Sequence, residues 1–201
     1  TATVTYSADI VGGGAVTTPF APDFVSYFNG TLSTSVTPLF MNIDNSSFDP
    51  RDKVTVTIEL SQAVTGLQFA LGDVDLGTFT DAIEVSHDNN LSGGFTNAAN
   101  NTAFWTAGAS VQRTNDATVN GWRGINGSGN GSTAGTIAFD FGATQVQRIQ
   151  IVYFSYTGTG DPTAQFVVIS DLDYDTDEAD LSLTKAVSDT TPTFGSTVDY
   201  T

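Results

Sequence analysis

Asp73, Asp75 and Asp81 are the side chains whose type and spacing could do chemistry, in GDVDLGTFTD at 72–81. Residues two apart on an extended strand share a face, so Asp73 and Asp75 point the same way if the strand continues through them. Gly77 lets the chain turn back and brings Asp81 towards them. Three carboxylates at one strand end repel unless a cation joins them or one takes up a proton. The hard, oxygen-seeking cation that suits such a set is Ca²⁺. The other reading is that they are turn and Asx-cap residues. A second acidic row, Asp171, Asp173, Asp175 and Asp177 with Glu178, alternates through DLDYDTDE. It lacks the Gly and the distal Glu of an EF-hand loop. Either Ca²⁺ stiffens it, or it is a solvated linker held straight by self-repulsion. If the closing strand lies beside the 73–81 loop, Asp171 and Asp173 join the first cluster.

Trp122 and Trp105 are the two tryptophans. Trp122 stands in NGWRG with Arg123 beside it, a polar setting in which an exposed indole stacks on a sugar ring. Packing in the core is the competing reading. His87 next to Asp88 has the atoms for acid–base work, but no Ser or Cys motif accompanies it. Glu59, Glu84 and Glu178 fall in no glycosidase pattern. The Gly-rich stretch at 125–135 has no GK[ST] and opens no helix, so it is not a phosphate loop. These residues predict no enzyme.

The acid is distributed unevenly. Of 22 acidic residues only three are Glu. Asp favours turns and caps where Glu favours helices, so the charge sits in loops. A net charge of -16 opposes binding to nucleic acid or anionic lipid. With no Cys there is no disulfide framework, and one His excludes a multi-His metal site. No apolar run approaches the roughly 20 residues of a membrane span. The opening TATVTY suits a processed, secreted protein, although a trimmed boundary would look the same, and the expected location is extracellular or at a cell surface. Asn29, Asn45, Asn90, Asn100, Asn126 and Asn130 head Asn-x-Ser/Thr triplets that permit glycosylation.

The elements that must position these groups are strands. Lys53 to Leu60 alternates apolar and polar, as does Thr136 to Phe141. Gln147 to Tyr156 and Phe166 to Ile169 are apolar enough for central strands. Thr3 to Ser7, Leu67 to Leu71, Ala82 to Ser86 and Thr102 to Trp105 carry weaker signals. Clusters of Gly, Asn, Asp, Ser and Pro separate these runs. The pattern predicts an all-β, antiparallel two-sheet β-sandwich, jelly-roll-like, with an extended C-terminal strand segment. Composition changes near 178, which divides the chain into a sandwich at 1–178 and a strand segment at 179–201.

The tail ADLSLTKAVSDTTPTFGSTVDYT resembles the start of the DUF11-type Ig-like repeat of prokaryotic surface proteins. The body resembles the β-sandwich that precedes such repeats, through VTGLQFALGDVDLGTFTDAIEV at 64–85, GWRGINGSGNGSTAGTIAFDF at 121–141 and the run from Val146 to Tyr174. The resemblance implies secretion and a surface role. The expected protein is therefore a Ca²⁺-stabilised structural or adhesive unit without catalysis. Its partners are other copies of itself, further Ig-like repeats, or glycans. Asp180, Leu181, Leu183, Lys185 and Val187 would pair with a neighbouring copy by β-strand addition. The alternative is a carbohydrate-binding module of a larger adhesin.

Overall fold

The structure, a computed structural model, describes residues 2–17, 39–43, 49, 52–129, 132–158 and 165–175. Asp177, Glu178 and the segment Asp180, Leu181, Leu183, Lys185 and Val187 lie outside them, as does the boundary expected at 178. The described residues are strands, turns and two short 3₁₀ turns.

The strands are β1 (Val4–Val11), β2 (Gly14–Thr17), β3 (Leu39–Ile43), β4 (Lys53–Gly72), β5 (Thr80–Asp88), β6 (Thr96–Asn97) and β7 (Trp105–Ala107). They continue as β8 (Val111–Asn115), β9 (Asn120–Gly124), β10 (Ile137–Asp140), β11 (Val146–Thr157), β12 (Gln165–Ile169) and β13 (Asp173–Asp175). Every pairing is antiparallel. The first sheet runs β1, the N-terminal half of β4, β11, β5, β9 and β8, with β6 also on β5. The second runs β2, β3, β12, the C-terminal half of β4, β10 and β7, with β13 on β4.

β4 is 20 residues long and belongs to both sheets. Its two halves were legible as separate strands, and the structure joins them. Val54, Val56, Ile58 and Leu60 are buried in the first half, and Leu67, Phe69 and Leu71 in the second. The buried parity changes from even to odd because Gly66 has φ +62. A side chain there would strain the backbone and collide with Asp175. One extra left-handed residue turns the strand over, so both sheets present apolar residues to one core.

That core takes Ile83, Val85, Trp122, Ile149, Ile151 and Tyr153 from the first sheet. From the second it takes Met41, Ile43, Phe69, Ile137, Phe139 and Val167. Phe69 stacks on Phe139 at 4.7 Å between ring centres, and Trp122 meets Phe139 edge-on at 5.2 Å. No helix among the described residues is long and apolar enough to cross a membrane.

Candidate functional site

Of the expected acidic cluster, Asp75 and Asp81 come together across the turn, with the Asp81 carboxyl held by hydrogen bonds on both oxygens. Asp81 opens β5 and is buried. Its Oδ1 accepts the Tyr153 hydroxyl at 2.7 Å and the Gln165 amide at 2.6 Å. Its Oδ2 accepts the Asp75 backbone N–H at 3.0 Å. Tyr153 lies on β11 in the first sheet and Gln165 on β12 in the second, so one carboxyl ties both sheets together. Burial pushes the Asp81 carboxyl up to about 7 against the pull of these hydrogen bonds. Burial and the neighbouring Asp75 charge push Asp73 up to about 6. Burial, then the charge and hydrogen bond of Asp81, drive the Tyr153 phenol well above its ordinary value.

The loop around these acids is held by its own backbone. Asp81 N–H donates to Asp75 O at 3.0 Å, closing the turn. Asp75 Oδ2 accepts the Ser128 N–H at 2.8 Å, while Val74 and Leu76 donate to Gly135 and Asn126 carbonyls. The Gly-rich stretch therefore lies on the 74–76 segment. Gly124 lets it approach, because a Cβ there would strike the Asp75 backbone. Asp73 takes the left-handed conformation, φ 66.

This geometry leaves Asp81 little capacity for a calcium ion. Both Asp81 oxygens already accept protein donors, and Asp75 is tied to Ser128. Among the described residues no three His, Cys, Asp or Glu groups stand together as a metal set. Asp171 and Asp173 do not join the cluster. β13 runs back along β4 away from the 73–81 turn, with Asp173 opposite Gln68 and Asp175 opposite Thr65. Burial raises the Asp171 carboxyl, and Asp173 adds to it.

Of the two readings of Trp122, the structure shows core packing and not a sugar platform. Trp122 is fully buried, packed edge-on against Trp105 at 5.3 Å, and Trp105 is itself half-buried. In β9 the register pairs Trp122 with Ile83, whose side chain faces the core. Arg123 does not flank an exposed indole. Its guanidinium lies 4.8 Å from the Tyr156 ring centre, on the opposite face of the strand. His87 packs between Phe104 and Phe141 at one mouth of the core. Burial holds its imidazole below the ordinary value, against the charge of Asp88. Asp88 is engaged elsewhere, by Arg148 at 2.6 Å and by the Asn90 N–H.

The feature that the residue patterns understated is β1. Its pairing with β4 puts Val4, Tyr6, Ala8 and Ile10 opposite Leu60, Ile58, Val56 and Val54. Directly opposite residues share a face, so these four point to the core side of the sheet. Yet they lie beyond the cover of the second sheet: Val4 is 42% exposed, Tyr6 56% and Ile10 39%. The ladder fixes the peptide groups as well. Ser61 N–H donates to Thr3 O at 2.9 Å. Thr3–Ser61 is thus a hydrogen-bonded pair, and such pairs alternate along an antiparallel ladder. Thr5, Ser7 and Asp9 therefore bond to β4, while the N–H and C=O groups of Val4, Tyr6, Ala8 and Ile10 point away from the sheet. Among the described residues no strand pairs with that side. The sequence signal was Val4–Tyr6–Ala8–Ile10 alternation, which extends past the Thr3 to Ser7 strand expected there.

No family model matches the chain. No curated protein matches it either. Among solved structures it is similar to the enzymatically active domain of tailspike protein 4 of bacteriophage CBA120, with 14% identity and a TM-score of 0.37. The match covers 85% of this chain and 19% of that one, so this chain spans about a fifth of the length of its neighbour. A likeness this slight bears on neither the fold nor an activity.

Proposed function

We propose that this protein is a non-catalytic structural or adhesive unit of an extracellular surface, which assembles with copies of itself by β-strand addition at β1. The observation that carries the reading is the outer edge of β1, with which no strand among the described residues pairs. It offers outward peptide groups at four alternate positions, with apolar side chains beside them on the core face. A strand added there satisfies the peptide groups and extends the core in one step. A head-to-tail contact of this kind does not close on itself, so it produces a filament. The resemblance of 179–201 to the start of an Ig-like repeat and the acidic, loop-borne charge agree with a secreted surface role.

The test is assembly, followed by light scattering and electron microscopy of the purified chain. Ala8→Pro removes one outward N–H and no bond to β4. It should abolish filaments while leaving the melting temperature near that of the parent. Filaments that survive Ala8→Pro would remove β1 from the assembly. Calcium enters as a second element, because a cation shared by Asp73 and Asp75 would relieve their repulsion. A melting temperature that ignores added Ca²⁺ or chelator would take the ion out of this reading and leave the edge in it.

A further inference from the structure

Resting on the β1 reading above, we infer that the strand received at β1 is Leu181–Val187 of a second copy, antiparallel, with Leu181 opposite Ile10, Leu183 opposite Ala8, Lys185 opposite Tyr6 and Val187 opposite Val4. The segment LSLTKAV lies outside the described residues, and its pattern supplies the match. Leu181, Leu183, Lys185 and Val187 occupy alternate positions, so in a strand they share one face. Set against β1, that face continues the core side.

The point where the described chain ends decides between its own tail and another copy's. β13 finishes at Asp175, and the Tyr174 hydroxyl donates to Ala2 O at 3.0 Å. The described chain therefore ends near the start of β1. To bring Leu181 beside Ile10, the tail must travel the eight positions from Ala2 to Ile10, about 26 Å of strand. The six residues from Asp175 to Leu181 span at most about 21 Å. A chain cannot lay its own tail on β1 in this antiparallel register, whereas a neighbour's tail is free of that limit. The chain's own tail can reach a parallel register, with Leu181 beside Val4, or an antiparallel one slipped towards Ala2, with Leu181 no further along than Ala8.

Charge favours the antiparallel arrangement. In the parallel one the acids Asp177, Glu178 and Asp180 crowd Asp173 and Asp175 at the start of β1, in a chain of net charge -16. In the antiparallel one they move to the far end, where Asp180 comes beside Val11. The β4 partner of Val11 is Lys53, one of six basic residues in the chain. Lys185 lies across from the exposed Tyr6 ring, within reach of a cation–π contact. Antiparallel pairing is also slightly the more stable per residue.

The chain has no cysteine, so engineered pairs report without background. In the inferred register Thr5 faces Ala186 in a non-hydrogen-bonded pair, with Cα atoms about 4.5 Å apart, which a disulfide spans. In the parallel register Thr5 faces Ser182 instead. Full-length Thr5→Cys and Ala186→Cys chains, mixed and oxidised, should give a disulfide heterodimer about tenfold more abundant than Thr5→Cys mixed with Ser182→Cys. Melting curves of the single variants confirm that each is folded. A cross-link formed within one chain by Thr5→Cys/Ser182→Cys overturns the inference, because the chain then covers its own edge. Filaments without either cross-link overturn it too, but leave self-assembly standing. Absence of filaments from the parent protein sinks both readings.

Discussion

The first sheet has two edges, and they are finished in opposite ways. At β8 the core-facing position opposite Trp122 is Arg113. Its guanidinium donates to Ala99 O at 3.0 Å, Gly121 O at 3.2 Å and Asn120 Oδ1 at 2.6 Å, and also to Thr114 O. A charge pointing inward at an edge makes a further strand unwelcome, because pairing would desolvate it. At β1 the corresponding core-facing positions are Val4, Tyr6, Ala8 and Ile10, without a charge among them. Among the described residues the same sheet thus carries an inward charge at one edge and none at the other. Among the described residues the β1 edge lacks the inward charge that blocks β8, and the proposed assembly uses that difference.

The largest expected effect separates the edges from the body they share. Asp81 keeps its proton up to about pH 7 in the folded chain, against about 3.9 when unfolded. Between those values the folded state binds more protons, so stability is fully present near pH 4 and falls as pH rises through 7. The loss is on the order of 4 kcal/mol for three pH units. Asp73 acts with the same sign. Asp88 and Asp116 act oppositely and lower down. Burial lifts Asp88, but Arg148 and Asn90 more than offset it, and the Val119 and Thr118 N–H groups hold Asp116 down. Denaturant melts across pH 4 to 8 should trace this decline, and Asp81→Asn should flatten it. Assembly through β1 should not follow the same curve, since none of these groups is on that strand.

Arg113→Leu makes β8 resemble β1. It orphans the Ala99 and Gly121 carbonyls and should cost about 3 kcal/mol in denaturant titrations. Sedimentation should then show a second mode of self-association. Tyr6→Lys makes β1 resemble β8, with a core-facing charge. It should weaken assembly about tenfold, about 1.4 kcal/mol, with stability changed by less than about 0.5 kcal/mol. The smallest effect belongs to Ser7→Lys, whose side chain faces outward. It should move assembly less than about twofold, and a loss as large as that of Tyr6→Lys would mean the core face does not matter.

Much of this body was legible wherever period two ran unbroken. The N-terminal half of β4, β10, β11 and β12 stand close to where alternation put them. β4 as a single strand was hidden, because the Gly66 that flips its parity looks like a turn residue. β9 was hidden by its own glycines. NGWRG reads as a polar loop, yet Gly121 and Gly124 are there because neighbouring backbone leaves no room for a Cβ. That concealment left an exposed and a core reading of Trp122 side by side, and the structure buries it. The convergence of Asp75 and Asp81 was readable from their spacing and from Gly77. Tyr153 and Gln165 were not, since they come from strands 72 and 84 residues away and no local pattern announces them. Asp171 and Asp173 failed to join because β13 follows β4 away from the 73–81 turn.

Backbone amide exchange, compared between dilute and assembled protein, tests the central claim most directly. Thr5, Ser7 and Asp9 should be protected in both states, because their N–H groups face β4. Tyr6, Ala8 and Ile10 should exchange freely when dilute and become protected on assembly. Equal exposure of those three amides in both states, or their protection in the dilute protein, would contradict strand addition at β1.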